Sequence, residues 1–444
     1  MEGERRAAAR EAEAAARSSY GKLVAMLASR TRDIAAAEDA LADAFAAALT
    51  QWPRDGIPAN PAGWLMTVAR RSFGHAAGRR RTAAAAESVL RMLDEERDEA
   101  RPAAFGDDRL ALMFVCAHPA IDGEAQAPLM LQTVLGLDAD RIAASFLVSG
   151  ATMGQRLVRA KRKIRDAGIA FAIPDPGDAP ARLGAVLSAI YAAYGTAWED
   201  VTGADGKLRD LADEAIWLAR LLHQLLPDDP EVMGLLSLML HCQARGAARR
   251  SEDGGFVPLQ AQDVTLWSAS MIAEAEAHLR SAARKAAPGR FQTEAAIQSL
   301  HAHQRMTGER FAEPLVRLYD VLARFAPTTG VLVARAVAHA EFGDPAGALA
   351  QLDRISNVDH YQPYWAARAR ISWLSGDEEA AWTLARHAAG LTNDAGVRAF
   401  LLDGGFRAAA AEGPVFRLSG SAAGYRSITA VKSQVTWCGL SPES

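Results

Sequence analysis

The densest group of residues able to do chemistry lies within residues 149–166. They carry six basic side chains, Arg156, Arg159, Lys161, Arg162, Lys163 and Arg165, against one acid, Asp166. Wound as a helix at about 100° per residue, the segment sorts into two stripes. Met153, Leu157, Ala160 and Ile164 form one stripe, and Thr152, Gln155, Arg156, Arg159 and Lys163 form another. The stripes lie about 120° apart. Arginine can meet guanine O6 and N7, glutamine can meet adenine N6 and N7, and lysine or arginine can hold phosphates. One packing face and one polar, cationic face are what a helix in a major groove requires. The plainer alternative is a solvated amphipathic helix.

Other groups are weaker. Glu38, Asp39 and Asp43 place carboxylates on one predicted helix, with Asp39 and Asp43 sharing a face. No general base, oxyanion hole or nucleophile elbow accompanies them, so an enzyme is not expected. Arg70, Arg71, Arg79, Arg80 and Arg81 form a basic run able to bind phosphate. Cys116 and His118, and His301 and His303, are spaced two apart, and residues so spaced do not share a helix face. Zinc takes about four ligands, so no metal is expected. No GxxxxGK[ST] phosphate loop occurs, and no cofactor is expected.

The elements that must position these groups are helical. Alanine dominates many stretches and has the highest helix propensity, and period-two Val and Ile runs are scarce, which predicts an all-α fold. Asp138-Ala139-Asp140 starts a short helix with Ile142, Ala143 and Phe146, and Leu147 to Gly150 forms a turn in which Ser149 suits an N-cap. A second helix then runs from Ala151 to about Arg165. Together they predict a helix-turn-helix, in which Gly154 is an interior cost of about 1 kcal/mol. Six tryptophans, Trp198, Trp217, Trp267, Trp365, Trp373 and Trp382, read as helix-packing residues, the alternative being a peptide groove lined by Trp365 and Trp373. Residues 331–402 repeat weakly at an offset of 33: Ala336 matches Ala369, Gly343-Asp344 matches Gly376-Asp377, and Ala348 matches Ala381. That period is near that of tetratricopeptide hairpins. The net charge of −4 excludes a generally basic coat protein. Three scattered cysteines, an N-terminus without an apolar run, and the lack of any long apolar stretch predict a cytoplasmic protein with no membrane span.

At residue scale a resemblance is plain. Ala37-Glu38-Asp39-Ala40-Leu41-Ala42-Asp43-Ala44-Phe45, Asn60-Pro61-Ala62-Gly63-Trp64-Leu65-Met66-Thr67-Val68-Ala69-Arg70 and Gln155 to Arg165 resemble the extracytoplasmic-function group of sigma-70-type factors. Phe114 to Ala120 and Arg182 to Tyr191 resemble the subgroup with a long tetratricopeptide-like C-terminal extension. The resemblance implies core RNA polymerase as partner, through its β′ clamp helices and β flap, and promoter DNA at −35 and −10. It implies that Asp39, Asp43 and Phe45 contact polymerase and that Thr152, Gln155, Arg156 and Arg159 read the −35 element; a separate hypothesis is that the extension folds back on the sigma domains within the chain and sets their availability. The implied domains are region 2 at 1–85, a linker at 86–106, region 4 at 107–170, a Pro-rich linker at 171–182, a helical extension at 183–325, repeats at 326–412 and a poorly ordered tail at 413–444. Two departures stand out. Ser72 to Gly78 holds two glycines, costing about 2 kcal/mol of helix propensity. Gly404-Gly405 replaces a closing amphipathic helix, which predicts a less well capped end. The alternative function is a degenerate sigma paralogue or helix-turn-helix regulator whose repeats serve as a protein-binding scaffold.

Overall fold

The computed structural model describes residues 2–80, 108–146, 148–174, 178–199 and 206–407. Arg81, the 86–106 linker and the 413–444 tail lie outside the described residues, as does part of the Pro-rich linker. Among the described residues every regular element is helical, and the one β contact is an isolated bridge between Arg250 and Phe256. The fold is all-α. The chain divides into two units between Leu218 and Ala219.

The first unit begins with α1 (Glu2–Thr31), α2 (Ile34–Asp55) and α3 (Pro61–Arg80). Asp33 caps α2 by accepting from the Ala36 amide at 3.1 Å. Ile34, Ala37, Leu41, Ala44 and Ala48 recur at spacings of three and four, and all are buried. Asn60 accepts from the Gly63 amide at 2.9 Å, and Pro61 opens α3 where its missing N–H costs nothing. The Trp52 and Trp64 rings meet edge to face at 5.5 Å, locking α2 to α3. α3 continues unbroken across Ser72 to Gly78, where the glycines predicted weakness. The hydroxyl of Ser72 donates to Asp43 on α2, so a tertiary tie supports the helix there.

Four helices follow: α4 (Asp108–Cys116), α5 (Gly123–Thr133), α6 (Ala139–Ser145) and α7 (Gly150–Asp166). α8 (Ala179–Glu199) packs along α5 and α4, and Arg182 donates to the Phe114 carbonyl at 3.5 Å. In α9 (Gly206–Leu225), Glu214 pairs with Arg109 of α4, whose guanidinium lies 4.2 Å from the Trp217 ring centre.

The second unit is built on α10 (Pro230–Gln243), whose residues from Val232 to His241 are all buried, because it lies against both α11 (Ala269–Ala283) and α12 (Arg290–Thr307). α13 (Ala312–Phe325) leads to two helical hairpins, α14 (Thr329–Glu341) with α15 (Pro345–Leu352), and α16 (Gln362–Leu374) with α17 (Glu378–Gly390). The 33-residue offset has a physical basis. Ala336, Ala369, Ala348 and Ala381 are all fully buried. Gly343 and Gly376 adopt φ of +109° and +83°, and Asp344 and Asp377 each cap the second helix of their hairpin. After α18 (Ala395–Leu402), the turn Gly405–Arg407 closes the stack instead of leaving it open. Phe406 is buried against Trp373 and Trp382, and Arg370 donates to the carbonyls of Phe406 and Arg407. A buried aromatic and an arginine clamp do the work expected of a final helix.

The tryptophans pack in varied ways. Trp267 is buried, Trp365 donates to the Val358 and Asp359 carbonyls, and Trp217 stays partly exposed beneath Arg109. The side chain of Trp198 is not among those described.

Candidate nucleic-acid and polymerase interface

The α6–α7 pair starts with Asp138, whose carboxylate accepts from the Arg141 amide at 2.8 Å. Phe146 falls in the turn after α6 rather than inside it, and the Val148 amide bonds back to the Ala143 carbonyl. Ser149 is the N-cap of α7: its side chain accepts from the Thr152 amide at 3.2 Å. Met153, Leu157, Ala160 and Ile164 are buried, which fixes the rotation of α7 about its axis. Thr152, Gln155, Arg159 and Lys163 are exposed on the other side. At Gly154 an added Cβ would meet nothing within 4 Å.

Arg156 differs from its stripe-mates. It is half-buried and pairs with Glu124 of α5 at 2.8 Å, so its guanidinium is already engaged inside the protein. Arg159 donates to the Gln155 carbonyl of its own helix at 3.3 Å. Lys161, which belongs to neither stripe, turns inward and pairs with Glu38 of α2. Charge and spacing identified these bases but not their partners, because both partners lie on other elements.

On α2, Asp39 and Asp43 are exposed, Phe45 is half-buried, and Glu38 points into the protein. The three carboxylates are therefore not equivalent. Glu38 sits one residue before Asp39, beside the buried Ala37–Leu41 stripe, and that position was the available signal. Burial pushes the Glu38 carboxyl above its ordinary value, and Lys161 pulls it partly back. On α3, Arg70 is half-buried and Arg71 is exposed. Arg79 and Arg80 lie on its last turn, and their side chains are not among those described.

Cys116 ends α4 fully buried, its Sγ 3.7 Å from the Thr133 hydroxyl, and burial pushes its thiol up to about 12. His118 Nδ1 accepts from the Ala120 amide, so it serves the turn before α5. His301 is held down to about 4 by burial and by Arg245. Among the described residues no group of three or more His, Cys, Asp or Glu could hold a metal ion, and no helix is long and apolar enough to cross a membrane.

The arrangement contains helices α1 to α3 with an exposed acidic face, followed by a capped helix pair with a cationic face. Residues 16–82 match sigma-70 region 2, and residues 182–283 match a family of unknown function, DUF6596. The chain belongs to the sigma-70-type factors, in a subgroup extended at its C-terminal side. The uncharacterized protein R00370 of Rhizobium meliloti (strain 1021) is 40% identical over 340 residues, covering 74% of this chain and 80% of that protein. No solved structure matches the chain. Sigma-70 region 2 implies a role in transcription initiation, with core RNA polymerase and promoter DNA as partners. Members of this family are transcription factors rather than enzymes.

Proposed function

We propose that this protein is an extracytoplasmic-function-type sigma factor of the cytoplasm that directs promoter-specific initiation and is modulated by its own C-terminal extension. The observation that carries this reading is the fixed rotation of α7. Its buried stripe holds Thr152, Gln155, Arg159 and Lys163 outward together, on a helix whose N-terminal end is capped and accessible. In a helix-turn-helix the N-terminal residues of the second helix meet base edges. Thr152, Gln155 and Arg159 take that role at −35, and Lys163 holds phosphate. Arg156 joins them by exchanging Glu124 for DNA. Asp39 and Asp43, with Phe45 beside them, dock on the β′ clamp helices, and the helix-turn-helix part meets the β flap. Arg70, Arg71, Arg79, Arg80 and Arg81 follow the backbone near −10. The hairpins α14 to α17, tetratricopeptide-like in period, give the extension a surface for contact with the sigma domains.

The test is binding of the purified full chain to core polymerase, followed by run-off transcription from the DNA upstream of its own reading frame. Binding with discrete transcripts is the expected result. Failure to bind core polymerase overturns the reading.

A further inference from the structure

Two residues of α7 have no part in the polar contacts assigned to it. The first is Val158. It keeps 56% of its exposure, the largest share of any large apolar side chain among the described residues. It does so within the cationic face, directly before Arg159 and one turn before Arg162. The second is Gly154, one turn before Val158. A glycine inside a helix weakens it relative to alanine. At Gly234 of α10 that weakness accompanies a close crossing, since a Cβ there would run into the Gln292 backbone. At Gly154 a Cβ would meet nothing within 4 Å, so no contact inside the protein requires the glycine.

At about 100° per residue, the side of α7 away from its buried stripe divides along its length. Thr152, Arg159 and Lys163 lie along one edge, and Ala151, Gly154 and Val158 along the other, with Gln155 and Arg162 between them. The first edge offers charge and hydrogen bonds. The second offers no polar side-chain atom, and only Val158 has bulk. An edge of that kind matches the apolar group that a base pair presents in the major groove, the C5-methyl of thymine. The other base-edge groups there are hydrogen-bond donors and acceptors, and beneath a valine they lose their water without gaining a partner.

We propose that Val158 is a specificity-determining residue: it packs on a thymine methyl in the −35 element, and the small residues Ala151 and Gly154 let the helix backbone come close enough for that contact. This role rests on the sigma-factor reading. The basic side chains around Val158 supply the charge complementarity that draws α7 onto the phosphates and brings the valine down to the bases. Along the helix axis Val158 stands about 4.5 Å beyond Gln155, at about 1.5 Å per residue, and base pairs step by about 3.4 Å. The thymine therefore lies in the base pair next to the one met by Gln155. Its methyl group is worth about fourfold in affinity, the value of one buried methyl.

The test is a deoxyuridine scan. The full chain, alone and with core polymerase, first selects from duplexes of the DNA upstream of its own reading frame, randomised across the −35 region. The selected duplex is rebuilt with deoxyuridine in place of each thymine in turn, which removes one methyl and keeps every hydrogen bond. The wild type is expected to lose about fourfold in affinity at one thymine beside the base met by Gln155. Val158→Ala should bind the thymine and deoxyuridine duplexes alike at that position, and keep its preferences at the bases met by Gln155 and Arg159. Arg162→Ala should weaken binding to all duplexes and keep the methyl effect. Gly154→Ala should raise the melting temperature of the free protein and yet weaken binding to the selected duplex. Alanine favours helix at both positions, and neither side chain is needed inside the fold, so the variants stay folded. A selected element without that thymine, no loss with deoxyuridine at any position, or the same loss in Val158→Ala as in wild type overturns the assignment, and with polymerase bound the sigma reading stands. A methyl effect that depends on Val158 in a chain that never binds polymerase supports the thymine contact and overturns the sigma reading. Binding without sequence selection, alone and with polymerase, overturns both.

Discussion

On α7 the side chains proposed to read bases and those proposed only to hold phosphate are separable by mutation. Arg159 is exposed on the side away from the buried stripe, one turn beyond Gln155. Lys163 lies one turn further from the capped end, and its ammonium is a point charge without planar hydrogen-bond geometry. Arg159→Ala should cost about 1–3 kcal/mol on the preferred promoter and relax sequence preference there. Lys163→Ala should weaken binding to all duplexes alike and lower the log–log salt slope by about one. Titration of both variants against specific and scrambled duplexes over a range of salt checks this. Equal, sequence-independent losses would mean that α7 does not read bases. Arg156 has to give up Glu124 before it contributes, so its truncation should cost less than that of Arg159.

Two devices at element scale can be tested separately. α10 crosses α12 at Gly234, where a Cβ would lie 2.5 Å from the Gln292 nitrogen and 2.9 Å from its Cα. Both are backbone atoms, so the neighbour cannot swing aside. The approach lets the Glu231 carboxylate of α10 accept from the Phe291 and Gln292 amides, at 3.0 and 3.1 Å, and so cap α12 from another helix. Gly234→Ala should therefore destabilise the second unit by about 1–3 kcal/mol, read from urea unfolding, despite its better helix propensity. A stability equal to or above wild type would refute the crossing geometry. At the start of α18, Asp394 accepts from the Val397 amide at 3.0 Å and pairs with Arg250 at 3.1 Å. The hydrogen bond from Arg250 holds its carboxyl below the ordinary value of 3.8. The folded form thus binds fewer protons than the unfolded one at that carboxyl. The stabilisation is complete above pH of about 3.8 and is lost as pH falls through the lower folded value. The stability difference between wild type and Asp394→Asn should be flat above pH 5 and should shrink below it. A difference that instead grows on acidification would reverse the assignment. The sequence foretold some of this and hid the rest for physical reasons. Ser149, the Met153–Ile164 stripe and the paired Gly-Asp turns are local signals, read within one helix or one repeat. Glu231 on the α12 amides, Glu38 on Lys161 and Gly21 on Val134 join residues from 60 to more than 100 positions apart. No spacing in a single chain encodes such pairs.

For the whole molecule, the point at which the extension is cut decides what a truncation measures. The Pro-rich stretch near Pro174 looks like the natural boundary, and residues 182–283 match one family. Yet α8, which begins that region, packs along α5 and α4, with Val186, Leu187, Ile190, Ala193 and Tyr194 buried. The first part of α9 adds the Arg109–Glu214 pair and Trp217 beneath Arg109. A fragment ending at Pro174 exposes the surfaces of α4 and α5 that these helices cover. At about 25 cal/mol per Å² of apolar area, losing five largely apolar buried residues exceeds the margin of most small domains. That fragment should melt without cooperativity or aggregate. A fragment ending at Leu225 keeps α8 and α9 whole and should melt cooperatively. The second fragment is therefore the fair test of modulation. On the proposed modulation, its run-off yield should differ from that of the full chain at equal occupancy of core polymerase. Equal yields would leave the extension without a role in initiation. A cooperative melt of the Pro174 fragment would show that α8 is dispensable to the unit it packs in.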